Sequence, residues 1–414
     1  MEPAFLLLPS TDAPRYPRLL RKVQLLALRR LLTFPPRSLP ARTAALARVQ
    51  EVISQAARTH RTALLDALGT PDVLAPLLVL ARDLRPPLPL LDEAVPSLLL
   101  ALVRSGALPE SVVWDAPTGR LVDDTGSRVL WFDPPAAALM FAPDGAEARL
   151  QDGRLARLLG TGTVAPLPPG VREEPALHPL RHGVRLSTVD TNPLADVEAH
   201  PDKQGNAVSL GGHPVASWCA GLDNALDLID AGLPTWAAEL PHSLRRLVPV
   251  GFHEQMHLSA SYREAPGLAY LTLHPNQVTL AEAIIHETQH GKLNTLLHLD
   301  PVLNNGRTEW TPSPVRPDLR PLEGVLLAVH AFVPVAALHR GLAEAGHPVS
   351  ADPWFARRRA EVLAGNTRGL AILEQKGDWS PVGARLREAL HRTHASLVEA
   401  APAAPPGLAE ALPG

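Results

Sequence analysis

Apolar residues recur at helical spacing through the first hundred positions. Leu19, Leu20, Val23, Leu26 and Leu28 form one run. Pro35-Pro36 stops it, because proline lacks an amide donor and clashes with the preceding turn. Ala44 to Leu68 is a second amphipathic stretch, ended by Gly69. Val73 to Leu84 and Leu90 to Val103 follow, separated by Pro86-Pro87. The pattern predicts a helical N-terminal region over residues 1–105. It carries no catalytic pattern and reads as a scaffold or docking module.

The period changes after residue 105. Arg120-Leu121-Val122 and Arg128-Val129-Leu130-Trp131-Phe132 flank Asp123-Asp124-Thr125-Gly126-Ser127, which predicts a β-hairpin. A second hairpin is expected around Pro143-Asp144-Gly145. Residues 166–181 are rich in proline and charge and read as a linker. Residues 106–185 thus form a hairpin-containing middle segment.

Residues 186–400 read as one catalytic domain. A helix is expected from Trp218 to Ala231, ended by Gly232. Strands are expected at Arg246–Val250 and Leu268–Leu273. Two long helices are expected at 279–299 and about 321–340, with further helices after Trp354. The expected class is α+β, mostly helical. Its catalytic domain is built around one motif-bearing helix and a neighbouring apolar helix, with short strands. The Pro/Ala-rich tail from Ala401 is expected to fray. No internal repeat is present.

Composition narrows the chemistry. A chain of 414 residues suggests two or three domains, or one large one with extensions. The net charge of −3 gives no reason to expect nucleic acid or an anionic membrane as partner. Cys219 is the only cysteine, so neither an internal disulfide nor a CxxC metal site can form. The apolar start of the chain lacks a preceding basic region and makes a poor signal peptide. The longest apolar run, Gly324 to Leu338, is too short to span a bilayer and contains His330 and Pro334. A soluble, cytoplasmic protein is expected; the oligomeric state is not readable from the sequence.

The pattern HExxH occurs twice, at His253–His257 and at His286–His290. It has chemical meaning only on a helix, where residues four apart share a face and two imidazoles can reach one ion. The second copy has that context. Thr279 and Glu282 fit a capping box, and Leu280, Ala283, Ile284, Ile285, Leu293, Leu296 and Leu297 supply apolar packing. The first copy follows Gly251, precedes the strand-like Leu258–Tyr262 and has neither cap nor helical period. It reads as coincidence.

A catalytic metal takes about three protein ligands and keeps open positions. The extended pattern HExxHxxGxxH is absent, because Leu293 and Leu296 occupy the later positions. Glu309 stands at the spacing of a distant carboxylate ligand, in a loop-like setting. The helix from Pro321 to Phe332 is apolar except for Glu323 and His330, which are seven apart and share a face. His330 is the favoured third ligand, with Glu323 and Glu309 as alternatives. Arg316 and Arg320 sit just before this helix in a proline-stiffened segment. Arginine binds carboxylates through paired hydrogen bonds.

The stretch T-L-A-E-A-I-I-H-E-T-Q-H-G-K-L-N-T-L-L from Thr279, followed by R-P-D-L-R-P-L-E-G-V-L-L-A-V-H-A-F-V-P-V-A from Arg316, resembles the HExxH enzymes that modify ribosomally made peptides. Those are iron- and 2-oxoglutarate-dependent peptide β-hydroxylases. Val189–Pro193 and the run Leu247–Leu273 share the likeness, which covers residues 186 to 345. The resemblance implies Fe(II) held by His286 and His290, with His330 as third ligand. It implies 2-oxoglutarate as cosubstrate, its distal carboxylate held by Arg320 or Arg316, and a precursor peptide as substrate. Glu287 would then support a ligand or bound water. Two other readings stay open. One is a zinc metallopeptidase, with Zn(II) and Glu287 as general base. The other is a non-catalytic peptide-binding maturation partner with a degenerate site. Separately, the helical N-terminal half is a candidate for recognising a leader peptide.

Overall fold

The computed structural model describes residues 3–9, 15–160, 166–195, 207–312 and 319–401. Five helices open the chain: α1 (Tyr16–Thr33), α2 (Thr43–Thr59), α3 (Arg61–Leu68), α4 (Pro71–Ala81) and α5 (Pro87–Arg104). Prolines in the first turns of α1, α4 and α5 start helices at no hydrogen-bonding cost, since those amides have no intrahelical partner. The single stretch expected over Ala44–Leu68 is two helices, broken at His60. Arg58 to Thr62 are all exposed, so no buried side chain holds one axis there.

Strands follow: β1 (Val112–Trp114), β2 (Thr118–Asp123), β3 (Arg128–Ala136), β4 (Ala138–Ala142), β5 (Gly145–Arg149), β6 (Leu155–Gly160), β7 (Val171–Pro175), β8 (Leu177–Pro179) and β9 (Arg185–Ser187). Both expected hairpins are present. β2 pairs antiparallel with β3, Asp123 opposite Arg128. β4 pairs with β5, Ala142 opposite Gly145 across a two-residue turn. The linker expected over 166–181 is not one. β7 pairs with β3 and β8 pairs with β9. β7 is an edge strand, and its outward charges suit an edge that must not recruit another chain. That charge hid it in the sequence.

The remaining elements are α6 (Val215–Gly232), the short α7 (Pro234–Ala237) and α8 (Leu240–Ser243), β10 (Arg246–Phe252), β11 (Ser259–Ser261), β12 (Leu268–Leu273), α9 (Gln277–Leu297), β13 (Trp310–Pro312), β14 (Leu319–Pro321), α10 (Leu322–Glu344), α11 (Pro353–Lys376) and α12 (Pro381–Glu399). A five-stranded sheet has the order β11-β12-β10-β9-β8. Its three central strands are parallel, and β11 and β8 run antiparallel at the two edges. Every residue of β12 is buried, as a parallel strand covered on both faces requires. The class is α+β and mostly helical.

Contacts cross between the regions. The guanidinium of Arg246 on β10 donates to Asp72 of α4 at 2.7 Å and to Asp124 of the β2–β3 turn at 2.6 Å, with both Arg246 and Asp72 buried. Gln289 Nε2 on α9 donates to the Leu6 carbonyl at 2.9 Å. Tyr16 and Thr295 hydroxyls are 3.0 Å apart. The main hydrophobic core takes in α1, α4, α9 and β10, and a separate smaller cluster is formed by Val122, Val129, Ala176, Leu177 and Val189.

The apolar helix α10 is longer than the apolar run in the sequence suggests. Among the described helices it alone has the length and composition to cross a membrane unaided, yet 72% of its apolar window is buried inside the protein. It packs against α6, α9, α11 and α12, as a core helix does.

Candidate metal centre

The helix α9 is buried on nearly every side, the pattern of a helix enclosed by other elements. Its start differs from expectation. Asn276, not Thr279, is the cap, and its side chain accepts from Val278 N at 2.9 Å and Thr279 N at 3.2 Å. Glu282 does not close a capping box. It is buried, accepts from the Arg358 guanidinium at 2.7 and 2.9 Å, and meets His339 Nε2 at 2.8 Å.

One turn separates His286 from His290, and their ring centroids lie 4.2 Å apart. Ligand-type atoms of His286, Glu287 and His290 all lie within 4.8 Å of one another, a grouping that could hold a metal ion. His286 Nδ1 and His290 Nε2 are buried without a hydrogen-bond partner among the described residues. Buried polar nitrogens normally have one. Burial, aided by His290, pushes the His286 imidazole down to about 3. It stays neutral at physiological pH with a lone pair free, the form that binds metals.

Glu287 is buried and firmly held. Ser259 and Ser261, both on β11, donate to its two oxygens at 2.6 Å each. Its Oε2 lies 3.5 Å from His290 Nδ1. Burial alone would raise the carboxyl pKa. The His290 and His286 imidazoles and the serine hydroxyl outweigh it and hold the group well below the usual carboxylate range.

The other expected residues are distributed as follows. His330 on α10 is fully buried, and neither ring nitrogen has a partner among the described residues. Burial, then His290 and Lys292, lower its pKa to about 3. It neighbours α9 through Gln289, which donates to the His330 carbonyl at 3.4 Å, but stands outside the compact donor set. Glu309 pairs with Lys376 at 2.9 Å, and Glu323 with Arg307 at 3.2 Å. Neither joins the cluster. Arg320 lies on β14, immediately before α10. Arg316 falls outside the described residues.

Three features escaped sequence reading. Arg358 on α11 lies within electrostatic reach of His286. Its guanidinium is 5.9 Å from the Phe332 ring, which in turn lies 4.7 Å from the His286 ring. Nothing in Arg357-Arg358-Arg359 marks the middle arginine. The serines of β11 were invisible because their role depends on strand pairing. The first HExxH copy is non-helical, as expected, yet it is not remote. His257 sits 6.2 Å from the His274 ring and within electrostatic reach of Glu287, its buried Nε2 unpartnered. Burial and His274 lower its pKa to about 4.

At the far end of α9, His298 Nε2 meets the Arg263 carbonyl at 2.8 Å, and burial lowers its pKa to about 4. The unfolded imidazole titrates near 6.5, so between these values the unfolded state binds more protons. Stability is therefore full above about pH 6.5 and falls as pH drops towards 4. The loss from this one residue is at most about 3 kcal/mol. Urea unfolding at pH 7 and pH 5 should show the decline, and His298→Gln should flatten it. A slope unchanged by that substitution would assign the pH dependence to other histidines.

No family model matches this chain, and no curated protein matches it.

Proposed function

We propose that the chain is an Fe(II)- and 2-oxoglutarate-dependent hydroxylase of a β-carbon in a ribosomally made precursor peptide, acting in the cytoplasm. The observation that supports this most is the donor set. His286, His290 and the ionised Glu287 combine two imidazoles and one carboxylate within 4.8 Å, the ligand types of non-heme iron oxygenases. A cation would supply the partner that His286 Nδ1 and His290 Nε2 lack among the described residues. His286 and His290 would hold the iron. The third protein ligand is Glu287, which lies in the compact set, or His330, whose two ring nitrogens lack partners. Iron with 2-oxoglutarate supplies the oxidising chemistry when bound.

The chain's own residues orient and shield. Ser259 and Ser261 fix the Glu287 carboxylate. Phe332 lies against His286 and keeps water from that side. Arg358 is assigned to the distal carboxylate of 2-oxoglutarate because it lies within electrostatic reach of His286 and near Phe332, whose ring neighbours His286; Arg320 on β14 is the alternative. Glu282 holds Arg358 in place. A zinc peptidase is disfavoured because both Glu287 oxygens already accept serine hydroxyls.

The test is anaerobic purification with Fe(II), then incubation with 2-oxoglutarate, oxygen and the precursor peptide. Succinate formation with a gain of one oxygen atom on the peptide is expected. Peptide cleavage supported by zinc alone would sink the proposal. Arg358→Ala should raise the 2-oxoglutarate requirement by at least about tenfold, the size of one lost charge-assisted hydrogen bond. If Arg320→Ala does so instead, the carboxylate role passes to Arg320.

A further inference from the structure

β11 is an edge strand. Its one partner among the described residues is β12, and the strand order ends at β11. The pairing register shows which of its backbone groups point outward. Leu258 O accepts from Thr272 N, and Ala260 lies opposite Tyr270 two positions on. In an antiparallel ladder, hydrogen-bonded and non-bonded pairs alternate. Ala260 therefore turns its amide and carbonyl towards β12. Ser259 and Ser261, opposite Leu271 and Ala269, turn theirs towards the open edge.

The same two residues carry the side chains that hold Glu287. The backbone groups available for pairing and the side chains touching the metal helix thus belong to the same positions. Neighbouring strands lie about 4.8 Å apart, and directly opposite residues point to the same face with Cβ atoms about 5 Å apart. A chain added beside β11 would therefore place the residue opposite Ser259 or Ser261 on the Glu287 side. Its β-carbon would face the donor cluster, and the residue opposite Ala260 would face away.

We propose that the open edge of β11 binds the substrate peptide as an extended additional strand, with alternate residues presented to the metal centre. The proposal rests on the reading of the substrate as a peptide and specifies how it is held. Backbone pairing supplies affinity that is independent of side-chain identity, and alternation supplies the choice of position.

The test uses the full chain without added metal and an mRNA-display library of random octapeptides. Enriched peptides are resynthesised with single N-methyl groups at each position. Binding should fall about tenfold for methylation at alternate positions and little at those between, since each lost backbone hydrogen bond is worth up to about 1.5 kcal/mol. Ser261→Pro removes an outward amide without touching the β12 ladder and should weaken binding to a similar extent. The methylation series leaves the protein unaltered, so it decides the matter even if Ser261→Pro fails to fold. Absence of enrichment, or sensitivity repeating every three to four residues as for a bound helix, would overturn the proposal. Alternating binding by a chain that never converts 2-oxoglutarate would leave the edge assignment standing and remove the hydroxylase reading.

Discussion

Alanine at His286 or His290 should abolish tight metal binding, whereas alanine at His253 should leave it unchanged. The reason is geometric. Only the second motif copy lies on a helix, and only its histidines combine with Glu287 into a donor set within 4.8 Å. Losing a residue that merely supports a ligand costs roughly 10–100-fold in metal affinity. Losing a ligand should exceed that. Competition with a chromophoric chelator under anaerobic conditions reads the affinity directly, without any assay of turnover. The same titration identifies the third ligand. If His330→Ala matches His290→Ala and Glu287→Gln loses only the smaller amount, the set is three histidines with a supporting carboxylate. The reverse result gives two histidines and one carboxylate. Equal losses from His253→Ala and His290→Ala would show that the helical copy is not the metal site.

Arg246→Leu should cost about 3–5 kcal/mol of stability, the range for breaking a buried ion pair by removing one partner. Arg246 and Asp72 are each about 1% exposed at the side chain. Removing the guanidinium leaves Asp72 buried without its cation and releases Asp124 as well. The charge that remains, not the bond that is lost, sets the size of the effect. Exchanging both Arg246 and Asp72 for leucine should therefore recover part of it. Urea midpoints at constant slope measure the change. A loss under about 1 kcal/mol, typical of an exposed pair, would mean that water reaches Asp72.

The parts of this fold legible in the sequence are those whose signal is local. The hairpins at 123–128 and 142–145 announce themselves by turn residues between alternating runs. The α9 helix is marked by its apolar content and the i,i+4 histidines. Features set by partners distant in the chain were not legible. β7 looks like a linker because its exposed charges are those of an edge strand. Thr279 and Glu282 satisfy a capping pattern, but the helix starts at Gln277, and Glu282 is claimed by Arg358 and His339 from two other helices. Which of three successive arginines reaches His286 depends on how α11 docks. His257 belongs to a motif copy without a helix, and only the pairing of β11 with β12 carries it over α9.

The contact between Gln289 and the Leu6 carbonyl ties α9 to a segment far from it in sequence. The turn at Pro3–Leu6 packs against both the metal helix α9 and the last described helix, α12. Residues 3–6 are thus held between two helices that are themselves far apart along the chain. α9 also packs against α1, α6, α8, α10, β11 and β12, so residues from many parts of the chain enclose it. A change that displaces Leu6 should therefore be felt in α9 and α12 together.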